Sequence, residues 1–175
     1  MNETAKKLTI TALTVALVCV TTSYTQIPIP GGYMHLGNVF ILLTGFLFSW
    51  KVAGVAGGVG SALADWITGF PMWILPTLII KSIMGIVIAL IMHGTKESAS
   101  IKKVRTWIGA VAGMLVMIGG YFIAGIWVMG GWEPSLTQIP GLSTEGVIGA
   151  VIFFVAAAAF EKAGIQKMLH RLSFR

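Results

Sequence analysis

Residues 72–93 read MWILPTLIIKSIMGIVIALIMH, twenty-two residues with a single formal charge, Lys81. A helix crossing the hydrocarbon core of a bilayer needs roughly 20 mostly apolar residues. This stretch meets that length, and it decides the class of the whole chain, because neighbouring segments repeat the pattern. Five more such runs are predicted, at about residues 8–24, 36–50, 52–70, 106–130 and 144–164. Across its 175 residues the chain is 56% hydrophobic and only 10% charged, against about 25% charged in an ordinary soluble domain. That is more apolar surface than a core of this size can bury. The composition excludes a soluble enzyme, a disordered chain and a nucleic-acid-binding domain, despite a formal net charge of +6. The reading is an all-α integral membrane bundle of six transmembrane helices, forming one transmembrane domain over residues 1–175.

The cations then set topology, since cytoplasmic loops of membrane proteins carry the excess of Lys and Arg. Lys6 and Lys7 precede the first run, and Lys51 stands between the second and third. Lys96, Lys102, Lys103 and Arg105 lie between the fourth and fifth, and Lys162, Lys167, Arg171 and Arg175 end the chain. With six crossings all of these fall on one side, and the opposite loops (residues 25–35, the turn at Phe70-Pro71, and residues 131–143) have no Lys or Arg. Both termini are therefore expected in the cytoplasm. The first run follows Lys6-Lys7 like a signal peptide, but Thr21-Thr22-Ser23-Tyr24 offers no small-x-small cleavage site, so it is expected to be retained. The single cysteine, Cys19, excludes an internal disulfide and a CxxC centre. No half of the chain repeats the other, which leaves an inverted-repeat carrier without support.

Small residues mark candidate helix contacts: Ala12-x-x-x-Ala16 in the first run, Gly54, Gly57, Gly58 and Gly60 in the third, and Gly109-x-x-x-Gly113 in the fifth. Two charges fall inside predicted helices at least five residues from either end, Asp65 and Lys81. Charge at membrane depth is costly and marks a candidate functional site. Two readings stand together: an Asp65–Lys81 ion pair that neutralises both, or side chains facing a polar cavity open to the outside. The first external loop, Gln26-Ile27-Pro28-Ile29-Pro30-Gly31-Gly32-Tyr33-Met34-His35-Leu36-Gly37-Asn38, presents an aromatic ring, an imidazole and an amide. Together these suit a planar heterocycle. Singly, Tyr33 also fits an interfacial aromatic belt, and Asn38 a helix cap. Trp66, Trp73 and Trp132, with Glu133 and Gln138, gather at the same face; they fit either belt residues or a lid over an aromatic ligand.

No phosphate-binding GxxxxGK[ST] stretch, nucleophile–base set or metal-ligand spacing occurs, so no catalytic residues, cofactor or metal are expected. Such a chain needs an outside energy source or a downhill gradient. The alternative is a stand-alone channel or ion-coupled carrier with Asp65 as its proton or cation site.

The combination of Ala12-x-x-x-Ala16, a proline-glycine loop leading into Tyr33-Met34-His35-Leu36-Gly37-Asn38, and the pair Ala64-Asp65-Trp66 and Pro76-Thr77-Leu78-Ile79-Ile80-Lys81 resembles the substrate-binding S component of energy-coupling factor (ECF) vitamin transporters. The likeness covers essentially the whole chain and is nearest to the riboflavin-type branch that includes hydroxymethylpyrimidine and pyridoxine carriers. The resemblance implies a multi-pass protein of the bacterial plasma membrane that binds a small heteroaromatic vitamin or precursor from outside. It implies as partners a transmembrane coupling protein, touched by Ala12 and Ala16, and two cytoplasmic ATPases. It implies substrate contacts at Tyr33, His35, Asn38, Asp65, Trp73, Lys81 and Trp132. An acidic residue would be expected more often where Asn38 stands.

Overall fold

The computed structural model describes residues 2–94, 99–165, 168 and 169. Of the cations counted above, Lys96, Lys167, Arg171 and Arg175 lie outside the described residues. The chain is mostly helical. Helix α1 (Glu3–Tyr24) is opened by Asn2, whose side chain accepts the Ala5 N–H. A two-stranded antiparallel hairpin follows, β1 (Ile27–Ile29) and β2 (Gly32–Met34), with Pro28 opposite Tyr33. The sequence reading has a loop here, and the structure shows strands. Pro30-Gly31 explains the difference: proline fixes the first turn position, and Gly31 takes φ 79°, which the second requires.

Helix α2 (Gly37–Leu47) has eleven residues, about 16 Å at 1.5 Å per residue. That is far short of a bilayer, yet nine of the eleven are buried. It stands inside the bundle against α1, α3, α4 and α7, so its apolar residues meet protein on every side. Helix α3 (Trp50–Thr68) ends at Gly69 in the left-handed conformation, and a 3₁₀ turn over Pro71–Trp73 leads into α4 (Ile74–His93). The remaining helices are α5 (Val104–Val128), a short α6 (Trp132–Leu136) and α7 (Ile139–Lys162). Six helices thus correspond to the six predicted runs. Among the described residues, four segments are long and apolar enough to cross a membrane: Thr4–Tyr24, Pro71–His93, Val104–Val128 and Trp132–Lys162. Helix α3 falls short on composition, because its glycines lend it little hydropathy.

Those glycines instead bring backbones together. A Cβ on Gly57 would stand 2.6 Å from the Lys81 carbonyl oxygen in α4, and one on Gly60 would stand 2.8 Å from the Val15 carbonyl oxygen in α1. Helix α3 is therefore clamped between α1 and α4. Helix α7 starts five residues before the expected Thr144, with Pro140 in its first turn, where a missing N–H costs nothing. That shift moves Glu145 from the second residue of the expected run to the second turn of the helix.

The two ends of the bundle differ. At one end Lys7 and Lys51 line a common groove with Trp50, and Glu161 of α7 accepts from the Ser100 hydroxyl (2.7 Å) and the Ile101 N–H (3.0 Å). At the other end the hairpin meets the α3–α4 turn, where Tyr33 packs on Phe70 with ring centroids 4.8 Å apart and the Trp73 indole N–H donates to the Gly31 carbonyl at 2.9 Å. Ala12 and Ala16 face outward from α1, so they do not serve packing within the chain.

Candidate functional site

A cavity opens at the hairpin end among the hairpin, α3, α4, α5 and α7. Its walls are built by the contacts just described. Strand β2 turns Tyr33 inward, and its hydroxyl donates to Asp65 Oδ1 at 2.5 Å. Burial and the neighbouring Asp65 carboxylate push the Tyr33 hydroxyl above its ordinary pKa, so it stays a donor. Asp65 lies in the last turn of α3 and is only 5% exposed. Its other oxygen, Oδ2, is buried and has no hydrogen-bond partner. The Thr77 hydroxyl also faces Asp65 and lies 3.0 Å from the Tyr121 hydroxyl, where either oxygen can donate to the other. A buried carboxylate oxygen left unpaired costs roughly 1–3 kcal/mol or more. A ligand N–H or O–H would relieve that cost.

The floor is a second polar cluster. Lys81, 1% exposed, comes from α4 and donates to Asn38 Oδ1 at 2.6 Å. Asn38, from the first turn of α2, donates through Nδ2 to Glu145 Oε1 of α7 at 2.5 Å. Lys81 Nζ is 3.6 Å from the same Glu145 oxygen, and also lies 5.4 Å from the centroid of the Tyr121 ring. Asn38 thus joins a buried cation to a buried carboxylate, using its acceptor on one and its donor on the other. The Met117 sulfur closes the cluster, 3.0 Å from Asn38 Nδ2 and 3.2 Å from Lys81 Nζ.

His35 stands between hairpin and α2. Its Nδ1 accepts the Gly37 N–H at 3.0 Å, which leaves the proton on Nε2, and Nε2 points at Glu145 Oε1 from 3.6 Å. Burial, with Lys81 adding repulsion, lowers its pKa well below 6.5. His35 is therefore neutral at physiological pH. Trp73 is held by its bond to Gly31 and packs on Tyr121 at 5.5 Å, so three aromatic side chains (Tyr33, Trp73, Tyr121) line the cavity.

The structure brings Tyr33, His35, Asp65, Trp73 and Lys81 to this cavity and sets Asn38 beneath it. Trp132 is elsewhere: it begins α6, is 60% exposed and does not line the cavity. Asp65 and Lys81 do not form the ion pair that their spacing allows. Lys81 pairs with Glu145, and Asp65 with Tyr33. Glu145, Thr77 and Tyr121 belong to the site without having been singled out, and Gln138 joins the same lining. Glu145 carried a readable signal, a carboxyl at the start of the apolar run predicted over residues 144–164. Tyr121 and Thr77 carried none.

The chain is 30% identical over 170 residues, 94% of this chain and 93% of the relative, to the thiamine precursor transporter HmpT of Lactococcus lactis. It is 37% identical over 137 residues, 77% of this chain and 88% of the relative, to an uncharacterised protein of Pyrococcus woesei. The sequence model of the ECF-type riboflavin transporter S component matches residues 2–162. The six-helix framework, the apolar helices and the match over nearly its whole length place the chain in the membrane as a transport component rather than an enzyme: it belongs to the family of ECF-type S components.

Proposed function

We propose that the chain is the membrane-embedded subunit that captures a small heteroaromatic vitamin precursor from outside, hydroxymethylpyrimidine first and a B6 vitamer second. The observation that carries this reading is the buried Asp65 oxygen without a donor, set in a wall of Tyr33, Trp73 and Tyr121 above the Lys81–Asn38–Glu145 cluster. An aminopyrimidine carries an amino donor beside a ring nitrogen acceptor, and a flat face for aromatic contact. Its amino group meets the need of Asp65, and a hydroxymethyl group can both donate and accept at the Lys81–Glu145 floor. The name of the Lactococcus relative, a thiamine precursor transporter, points the same way.

In this reading the chain forms one transmembrane domain that crosses six times, with α2 as a short buried crossing. The hairpin end faces outward and the basic end, with both termini, faces the cytoplasm. An ECF coupling protein and two ATPases supply the energy. The outward-facing Ala12 and Ala16 suit a close helix contact with the coupling protein, since nothing among the described residues covers them. Calorimetry of the purified protein with hydroxymethylpyrimidine and with pyridoxine tests the ligand. Asp65→Asn, which cannot hold a charge and turns one oxygen into a donor, is expected to weaken hydroxymethylpyrimidine binding by about 2–3 kcal/mol. Unchanged affinity in Asp65→Asn would remove Asp65 from the site. Uptake by this chain alone in liposomes, lost in Asp65→Asn, would instead establish a stand-alone carrier.

A further inference from the structure

Two cavities meet at one pair of side chains. The inner cavity described above has a volume of about 30 Å³, which is room for one or two waters. A substituted heteroaromatic ring needs several times that, so a wall must yield before the ring enters. The second cavity has a volume of about 410 Å³ and lies between the end of α1, the hairpin and α7. Tyr24, Gln26, Ile27, Met34, Leu36 and Ile148 line it, and so do His35 and Glu145. Those last two also line the inner cavity. They are the partition between the two.

The partition is a wall whose side chains do not lock together, although the His35 backbone also faces Glu145. On the α3–α4 side, backbones are clamped at glycine contacts where no methyl fits. At the partition, His35 Nε2 and Glu145 Oε1 stand 3.6 Å apart, beyond hydrogen-bond length. His35 is held by its own bond to the Gly37 N–H, and the segment by the Leu36 N–H on Thr25 Oγ1 at 2.8 Å. The outer cavity suits a ring. Its lining is mostly apolar, and Gln26 brings an amide whose buried Nε2 faces the Tyr33 hydroxyl without making a well-formed hydrogen bond, a donor that a ring nitrogen would satisfy.

We propose that the wider cavity is an antechamber, a second compartment that holds the same uncharged heteroaromatic ring before His35 swings away from Glu145 and admits it to the inner site. This rests on the reading that the inner site binds such a ring. Its continuity with that site through His35 and Glu145 favours the ring over a lipid chain as occupant.

The test is rapid-filtration association of radiolabelled hydroxymethylpyrimidine with the purified protein in lipid nanodiscs. Ile148→Trp fills the antechamber from α7 and Ile27→Trp fills it from the hairpin. Both positions are partly exposed and outside the inner site. Each is expected to slow association about tenfold, with dissociation slowed in step and affinity changed less than threefold, as for an obstructed path. Both variants must keep the wild-type unfolding temperature. Wild-type association in both variants would overturn the antechamber and leave the inner-site reading intact. So would wild-type association accompanied by loss of a copurifying lipid, which would make the cavity a lipid seat. No binding by the unmodified chain would instead overturn the inner-site reading, and the antechamber with it.

Discussion

The Lys81–Glu145 pair offers a quantitative test of the site. Both side chains are buried, 1% and 3% exposed, and their charged atoms are 3.6 Å apart. At an effective dielectric constant near 20, that separation gives an attraction of about 4–5 kcal/mol. Desolvation of both groups opposes it, so the pair adds little net stability, but breaking it strands the survivor. Glu145→Gln keeps the shape and the oxygen that Asn38 bonds, and removes only the charge. Lys81→Met keeps most of the volume. Each single variant is expected to lose about 3–5 kcal/mol, which for a chain of this length lowers the unfolding temperature by roughly 10 °C. The double variant leaves no stranded charge, so it is expected to recover at least about 2 kcal/mol of the summed losses. The half-buried Cys19 supplies the assay. A thiol-reactive fluorophore in detergent reports its exposure as the bundle melts, without ligand present. Additive losses in the double variant would refute the coupling. Single variants within 1 kcal/mol of the wild type would refute the burial of a charged pair.

Three further outcomes follow from other parts of the fold. His35 faces Glu145, Lys81 and the Tyr33 ring, and its pKa in the fold lies well below 6.5. The unfolded chain therefore takes up a proton that the fold refuses, so this contribution is complete above about pH 6.5 and is lost as pH falls. The loss reaches up to about 2 kcal/mol by pH 5; melting curves of wild type and His35→Gln should diverge in slope across that window, and parallel slopes would contradict the neutral imidazole. Gly57→Ala places a methyl 2.6 Å from the Lys81 carbonyl, so it should cost about 1–3 kcal/mol and weaken ligand binding by displacing Lys81, whereas a neutral result would mean that α3 and α4 are not in close contact. Ala12→Trp, on the outward face of α1, should leave ligand affinity unchanged while abolishing uptake and copurification of the ATPases; retained uptake would place the coupling contact elsewhere.

The helices were legible where the physics is local. The 72–93 run has one charge in twenty-two residues, and α2 and α3 part at Phe48-Ser49, two to three residues before the break expected at Lys51. The hairpin was not legible, because strands of three residues carry no periodicity and Pro28 and Pro30 argue against a ladder. The start of α7 was misplaced for a related reason. Ile139-Pro140-Gly141 reads as a loop, yet proline is welcome in a first helical turn. That misplacement set Glu145 at the very start of the expected run, whereas in the second turn of α7 it is buried as the counter-ion of Lys81. Ion pairing across α4 and α7 is a tertiary fact. The sequence reading paired Lys81 with Asp65, the nearer acid along the chain, and the structure pairs it with the more distant Glu145.

Asn38 shows how the site's composition hangs together. An acid was the expectation there, and an acid would have balanced Lys81 if α7 supplied none. Helix α7 does supply one, 2.5 Å from the Asn38 amide nitrogen. A carboxylate at position 38 would face Glu145 across that distance with neither able to donate, two like charges sharing one lysine. The amide avoids this, because it accepts from Lys81 on one side and donates to Glu145 on the other. With Lys81 neutralised at the floor by Glu145, Asp65 is left as the carboxyl whose free oxygen has no cation of its own. The charge that remains for a ligand to answer is therefore negative. A cavity that has already committed its buried lysine offers little to a phosphate or carboxylate, and an amino donor on a neutral or weakly basic ring is the chemistry it is short of.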